Sequence, residues 1–345
     1  MKCVVSGGTG FLGRHVVRAL VAAGHEVRAI VRREAFSLER EGAELVRGDV
    51  LDSDSLARAC AGADACVHMA GRVQHKGEAS EVFELNVEGT RHMLAAARAA
   101  GLRRFVHVSS SGTIAVSTDE RIVDERAPYA LETVRRWPYY LSKIYAEKLA
   151  FEENERGGFG VVVVSPSLLL GPEDESLASS QVLLRFLRGE VPFAPPGGIN
   201  FVDVRDAAAG VAAALERGRA GERYLLGGPN MTLEAFFVLL AKVTGKPAPS
   251  LRATPAVQRA TWRTLSVLEA LGGFEGDESV AYSMAEHFWY LDPRKAQREL
   301  DFAARPPEQT LRDAVAWIRS QGPLPEGEQT LGALFRSVRR FLPLR

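Results

Sequence analysis

Lys2-Cys3-Val4-Val5-Ser6-Gly7-Gly8-Thr9-Gly10-Phe11-Leu12-Gly13 is the stretch that decides the fold. Its first five residues read as a short buried strand. Glycines follow at Gly7, Gly10 and Gly13. From Arg14 to Ala23 the apolar residues Val16, Val17, Leu20 and Val21 recur at helical spacing. Strand, glycine turn and helix form a dinucleotide-binding fingerprint. Gly7 takes the main chain through a turn that a β-carbon would hinder. Gly10 lets a pyrophosphate approach the backbone, and Gly13 lets the helix lie close on its strand. The helix N-terminus offers free N–H groups and the positive end of a dipole. The spacing is Gly-x-x-Gly-x-x-Gly, not Gly-x-Gly-x-x-Gly. Alone it marks only a glycine-rich turn; its place directly after a strand gives it meaning.

Outward from this turn, Gly24-His25 closes the helix and Glu26–Val31 reads as the second strand. An acidic residue at its end would take the ribose hydroxyls of NAD. Arg32-Arg33 stands there instead, and Arg32 suits a 2′-phosphate. The expected cofactor is therefore NADP(H), with NAD(H) as the other option; the plain alternative makes both arginines solvated loop charges. Glu44–Arg47 is a third strand. After it, Asp49 either hydrogen-bonds an adenine edge while Val50 covers its face, or caps the helix that begins near Asp52-Ser53. Ala65–Met69 is a fourth strand, with His68 as a packed core histidine, and leads into the small pair Ala70-Gly71.

Ala79 to Ala100 reads as one long helix that carries Asn86 and Gly89, both poor interior residues. Either a kink frees a carbonyl there for a water or a lysine, or the glycine serves a close helix crossing. Phe105–Ser109 is the fifth strand and runs into Ser110-Ser111-Gly112-Thr113. Hydroxyls at the carboxyl end of a strand stand where open α/β sheets bind ligands. A long loop follows, through Pro128. Pro138 then opens a helix to about Glu155, with Tyr139 and Lys143 four apart on one face. An ammonium beside a phenol lowers its pKa, as general acid/base work requires. The pair alone is common on amphipathic helices; its order after the glycine turn and the serine-ended strand makes it specific. Gly160–Ser165 is a sixth strand, broken by Pro166-Ser167. The alternation predicts an α/β fold: a doubly wound, parallel-sheet Rossmann fold.

From about residue 1 to 320 the chain resembles an extended short-chain dehydrogenase/reductase. Gly7, Thr9, Gly10, Phe11, Leu12 and Gly13 match the family's cofactor turn. Asp49-Val50 matches its adenine pair and Ala70-Gly71 its small pair near the cofactor. Asn86 matches its structural asparagine, Tyr139 and Lys143 its catalytic pair, and Pro166 a proline near the nicotinamide. The catalytic hydroxyl falls in the serine run, with Ser110 favoured and Ser111 second. Asn200–Ala207 and Asp292–Phe302 resemble later family segments, with Asp301 replacing a glycine. The closest likeness is to the dihydroflavonol reductase-like and 3β-hydroxysteroid dehydrogenase-like branch. Dehydratases place an Asp-Glu pair directly after the catalytic hydroxyl, where this chain has Ser111-Gly112. The resemblance implies a Rossmann part (1–169 with about 199–228) and a smaller, discontinuous substrate part (about 170–198 and 229–320).

That reading gives an NAD(P)H-dependent ketone reductase or alcohol dehydrogenase. Tyr139 donates the proton, Lys143 depresses its pKa, Ser110 holds the carbonyl oxygen and Asn86 supports the relay. The substrate part contains Phe186, Phe193, Trp262, Leu265, Leu268, Phe274, Phe288, Trp289 and Tyr290, which points to an apolar or aromatic small molecule or simply to core packing. Two alternatives stand: a sugar or nucleotide-sugar epimerase with tightly held NAD, and a non-catalytic NADP-binding redox sensor.

Composition sets the outer bounds. The chain has 345 residues with zero formal net charge, so bulk charge gives no case for nucleic acid. Its three cysteines show no metal-ligand spacing and fit a reducing, cytoplasmic setting. No apolar run reaches the length of a membrane span. Beyond the resemblance, Leu331, Leu334, Phe335, Val338, Phe341 and Leu342 share a face with arginines mostly elsewhere. This amphipathic tail (324–345) docks on protein or lies on an anionic membrane through 330–345. The resemblance implies that a homodimer would form through the long helices 79–100 and 139–155.

Overall fold

A computed structural model describes residues 1–73, 79–191, 193–249, 251–252 and 278–324. Seven parallel strands form the main sheet: β1 (Lys2–Ser6), β2 (Glu26–Val31), β3 (Glu44–Arg47), β4 (Ala65–His68), β5 (Arg104–Val108), β6 (Gly160–Pro166) and, after three strands outside this sheet, β10 (Arg223–Leu226). Their spatial order is β10-β6-β5-β4-β1-β2-β3. The order reverses between β1 and β4, and open α/β sheets bind ligands at the carboxyl ends of the strands at such a point.

Alternate residues of each strand enter different layers. Cys3, Val5, Val67, Val106 and Val162 pack with Val16, Val17 and Leu20 of α1 (Phe11–Ala22) and with Val211 and Leu215 of α9 (Val204–Arg217). Val4, Cys66, Phe105, Val161 and Val163 face the opposite layer. There they meet Leu56 and Cys60 of α3 (Ser53–Cys60), Met93 and Ala97 of α5 (Gly89–Ala99) and Ala150 of α7 (Pro138–Arg156). Both sheet faces are covered, which is why these strands read as unbroken apolar runs. All three cysteines are buried and unbonded to one another. Burial alone pushes the Cys3 thiol up to about 12.

The helix expected from Ala79 to Ala100 is divided. α4 (Ala79–Phe83) passes into a wider π turn at Glu84–Glu88 before α5 begins. The interruption falls on Asn86, where the residue types pointed.

A second core lies beside the sheet. β7 (Leu168–Leu170), β9 (Gly198–Asp203) and β11 (Asn230–Thr232) make a three-stranded sheet in the order β11-β9-β7. Against it pack α8 (Gln181–Arg188), α10 (Leu233–Thr244) and the helix Pro307–Ser320, through Leu183, Phe186, Phe201, Phe236 and Leu311. Ala296, Leu300 and Phe302 return to the core of the main sheet. Asp301 takes the left-handed φ of 57° that ends the helix Arg294–Leu300, the conformation a glycine would supply. Trp262, Leu265, Leu268, Phe274 and the tail 325–345 lie outside the described residues.

Candidate active site

The glycine turn is shaped by contact. Gly7 has φ 76°, and a β-carbon there would lie 2.6 Å from the Ala70 nitrogen. A β-carbon on Gly13 would overlap the Gly7 carbonyl oxygen. Gly10 N donates to that oxygen at 3.1 Å and closes the turn. Gly10 is the N-cap of α1 and makes no side-chain cap bond; the first turn, which begins with Phe11 and Leu12, carries no carboxylate. With Gly10 N already bonded, the N–H groups of Phe11, Leu12 and Gly13 are left without a helical partner at the positive end of the helix. This arrangement fits a dinucleotide pyrophosphate on the main chain at Gly8–Leu12, with Thr9 exposed beside it. Arg32 is exposed just past the end of β2. Asp49 folds back to accept the Leu51 N–H at 3.0 Å, while the capping of α3 falls to Asp52, which accepts from Asp54 N and Ser55 N. Asp49 is therefore not that helix's cap. Pro166 ends β6, paired with Leu226.

Asn86 is buried, and every polar atom of its side chain is used. Its Oδ1 accepts Arg72 N at 2.7 Å; its Nδ2 donates to Arg72 O at 3.2 Å and to Ser142 Oγ at 2.9 Å. Ser142 passes its own proton to the Tyr139 carbonyl at 2.7 Å. Asn86 thus holds the strand exit at Arg72 against the helix that carries Tyr139. A β-carbon on Gly71 would lie 3.1 Å from Asn86 Oδ1 and 3.6 Å from Lys143 Nζ, so these three residues border one small space.

The main-chain carbonyl of Asn86 goes neither to lysine nor, in this geometry, free to solvent: the Thr90 hydroxyl donates to it at 2.6 Å. That fixes a longer chain of bonds. With its proton committed, Thr90 Oγ1 receives His68 Nε2–H at 2.9 Å. His68 Nδ1 must then accept from Ser6 Oγ at 2.6 Å. Burial, with Lys143 nearby, holds His68 down to about 3, in agreement with its neutral role. Gly89 explains itself differently, since a β-carbon there would sit 2.9 Å from Val50 Cγ2. The kink is present, while the close neighbour of Gly89 is Val50 in the turn before α3 and not a crossing helix.

Ser110 caps the short turn Ser111–Thr113, and its hydroxyl also bonds the Tyr139 phenol. Lys143 is buried and donates from Nζ to Val108 O at 2.8 Å, at the end of β5. The electrostatics correct the expectation that lysine depresses the phenol. Desolvation pushes Tyr139 up to about 12, opposed only by Ser110, while burial brings Lys143 down to about 8 against the attraction of Glu147. One of the three ammonium N–H groups goes to a strand carbonyl, and burial leaves Tyr139 a protonated phenol.

Sequence reasoning placed Trp289 in the substrate part but missed the wall that it forms with Tyr140 and Trp137. Tyr140, Trp137 and Trp289 form an aromatic cluster: Tyr140 lies 5.0 Å from Tyr139 and 5.2 Å from Trp289 by ring centroids, and Trp137 stacks on Trp289 at 5.6 Å. Trp289 arrives on a segment that the loop after β5 holds by main-chain bonds, Ser117 N to Phe288 O at 2.9 Å and Asp292 N to Val123 O at 2.9 Å. A β-carbon on Gly112 would lie 2.5 Å from Tyr140 Cδ1 and 2.9 Å from Trp289 Cζ3. No local pattern announces contacts that join residues so far apart in the chain. Among the described residues no cluster could hold a metal ion, and no helix is long and apolar enough to cross a membrane.

Comparison with known proteins agrees with this geometry. Residues 3–227 match the NAD dependent epimerase/dehydratase family. A putative dihydroflavonol 4-reductase of Synechocystis sp. is 34% identical, covering 92% of this chain and 94% of its own. A 4-hydroxy-2-methyl-3-oxo-4-farnesyl-3,4-dihydroquinoline-1-oxide ketoreductase of Stigmatella aurantiaca is 32% identical, covering 95% and 98%. The crystal structure of a nucleoside-diphosphate-sugar epimerase from Pseudomonas aeruginosa superposes with a TM-score of 0.77 at 30% identity, covering 93% of this chain and 98% of that one. The chain is an NAD(P)-dependent enzyme of the epimerase/dehydratase family, on the extended short-chain dehydrogenase/reductase branch that holds dihydroflavonol reductase-like, ketoreductase and 3β-hydroxysteroid dehydrogenase proteins.

Proposed function

We propose that the protein is an NADP(H)-dependent reductase of a ketone on a small, largely apolar or aromatic molecule. The observation that carries this reading is Ser110 bonded to a protonated Tyr139, at a sheet end walled by Tyr140, Trp137 and Trp289. Bound NADPH would supply the hydride. Tyr139 gives its proton to the carbonyl oxygen, since a phenol raised to about 12 carries its proton at neutral pH. Ser110 donates to the same oxygen and then to the phenolate left behind. Lys143 supplies the positive charge that the new phenolate needs, and holds the nicotinamide ribose. Gly7, Gly10 and Gly13 admit the pyrophosphate, Asp49-Val50 the adenine, and Arg32 the 2′-phosphate. Ala70-Gly71 and Pro166 leave room for the nicotinamide. The segments 170–198 and 229–320, apart from the stretch that returns to the main core, enclose the substrate.

The place of a dehydratase acid supports reduction. At Gly112 any side chain would collide with Tyr140 and Trp289, so the aromatic wall occupies the volume that an acid needs. The likeness to an epimerase structure keeps a second reading in view, with the same residues acting around a permanently held NAD.

Titrating the purified protein with NADPH and with NADH, by nicotinamide fluorescence, tests the cofactor. Tighter, reversible NADPH binding that loses about tenfold with Arg32→Ala is expected, the weight of about 1.4 kcal/mol for an exposed charge-assisted contact. Equal affinities in the wild type would remove the NADP assignment, and NAD retained through purification would favour the epimerase.

A further inference from the structure

Glu147 lies one turn beyond Lys143 and is completely buried. Ser109 Oγ donates to its Oε2 at 2.7 Å, and Arg223 of β10 donates to its Oε1 from the guanidinium. The Tyr129 hydroxyl reaches the same oxygen at 3.5 Å. Arg223 is fixed in turn: it donates to Glu125 O at 3.1 Å, and its guanidinium lies 5.1 Å from the Tyr129 ring centroid and 5.5 Å from that of Phe151. One carboxylate thus joins the middle of α7, the end of β5, β10 and the loop after β5.

This is an expensive way to hold a fold together. Two desolvated charges are often no more stable than an apolar pair of the same size. The position is informative: Ser109 precedes Ser110, and Glu147 shares a helix face with Tyr139 and Lys143. The groups that face Lys143 are His68 from β4, His107 from β5, and Tyr139 and Glu147 from its own helix. Burial keeps both histidines neutral. The negative charge that acts on Lys143 is therefore that of Glu147, with Arg223 on its far side.

We propose that Glu147, backed by Arg223, is a positioning residue of the active site, which fastens the Lys143 turn to the strand end that bears Ser110 and supplies the buried negative charge that keeps Lys143 an ammonium. The consequence for chemistry rests on the reductase reading above; the charge relation itself does not. Burial by itself drives Lys143 toward the neutral amine, and Glu147 opposes this. Without Glu147 the lysine loses its proton earlier as pH rises, and the positive charge available to a phenolate on Tyr139 is lost near neutrality.

The chain contains only seven lysines, so protein isotope-labelled at the lysine ε-carbon gives an NMR spectrum in which Lys143 is assigned by its disappearance in Lys143→Arg. The titration is run on the protein alone, without cofactor or substrate, so its outcome does not depend on which reaction is catalysed. Glu147→Gln keeps an acceptor for Ser109 and removes the charge. Its Lys143 midpoint is expected to fall by about one pH unit, the weight of a neighbouring opposite charge. Glu147→Gln leaves Arg223 unpaired, and that alone can unfold a protein. The double variant Glu147→Gln/Arg223→Met removes the orphan; it is expected to melt near the wild type and still show the lowered midpoint. An unmoved or raised midpoint would overturn the proposal, as would a double variant that does not fold, because the pair would then be structural only.

Discussion

Side chains at the site carry charge states set by what surrounds them, more than by their spacing in the chain. Tyr139 and Lys143 occupy one helical face, and spacing alone suggests an ammonium that lowers the phenol. The ammonium gives one of its N–H groups to the Val108 carbonyl, and burial raises the phenol to about 12. Tyr139→Phe therefore removes the proton donor while leaving the cofactor turn intact: turnover is expected to fall about 10²–10⁴-fold, with NADPH affinity within a factor of about two. Steady-state rates and fluorescence titration on the one preparation check this, and near-normal turnover would remove Tyr139 from its role. His68 and His107 give a stability prediction. Both are buried, and His107 finds no partner for either ring nitrogen among the described residues. Unfolded, each takes up a proton near 6.5; folded, His68 does so only near 3 and His107 well below its usual value. The unfolded chain thus binds more protons across that interval. Stability is complete above about pH 6.5 and is lost as pH falls, by about 1.4 kcal/mol per pH unit for each histidine. Urea melts at pH 7 and pH 5 should show this loss, and His107→Leu should reduce its slope; a slope unchanged in that variant would contradict the account.

Elements show how a local irregularity earns its place. The π turn at Glu84–Glu88 turns the Asn86 side chain toward Arg72 and Ser142, and Thr90 closes the carbonyl behind it. Gly89, next along, makes room for Val50. Gly89→Ala is expected to cost about 1–3 kcal/mol through overpacking. Val50→Ala in the same chain should recover part of that loss, although it is itself destabilising. A double-mutant cycle by chemical denaturation measures the coupling, and additive effects would show that the two side chains do not compete for one space. The segment 287–292 is the second such element, since the loop after β5 holds it and it delivers Trp289 to Tyr140. Trp289→Ala should lower kcat/KM for an aromatic ketone about tenfold, chiefly through KM, and leave NADPH binding unchanged. Equal losses for aromatic and small aliphatic ketones would show that the ring does not read the substrate.

At the scale of the whole molecule, what could be read from the chain is what local rules govern. Apolar runs bounded by glycine located the main strands, because both faces of a parallel sheet are buried. Gly13 was readable because its contacts lie within the same turn, and Gly7 because the turn itself asks for a positive φ; the approach of Ala70 to Gly7 was not readable. Asn86 and Gly89 announced a break in their helix by being poor helix formers. Glu147, Arg223, Tyr140 and the contact of Trp289 with Tyr140 were not readable in the same way. Their roles arise where α7, β10 and the segment 287–292 meet, and no periodicity encodes such a meeting. Glu147 did leave one trace: a carboxylate at the buried side of α7, in register with Tyr139 and Lys143. The central claim is net hydride transfer from NADPH to a ketone, with the proton from Tyr139. The most direct test follows nicotinamide absorbance as purified protein meets NADPH and a panel of aryl and alicyclic ketones, beside Tyr139→Phe. Stoichiometric NADPH oxidation with alcohol formed, and none in the variant, is the predicted result; protein that retains NAD and isomerises a sugar nucleotide without consuming NADPH would contradict it.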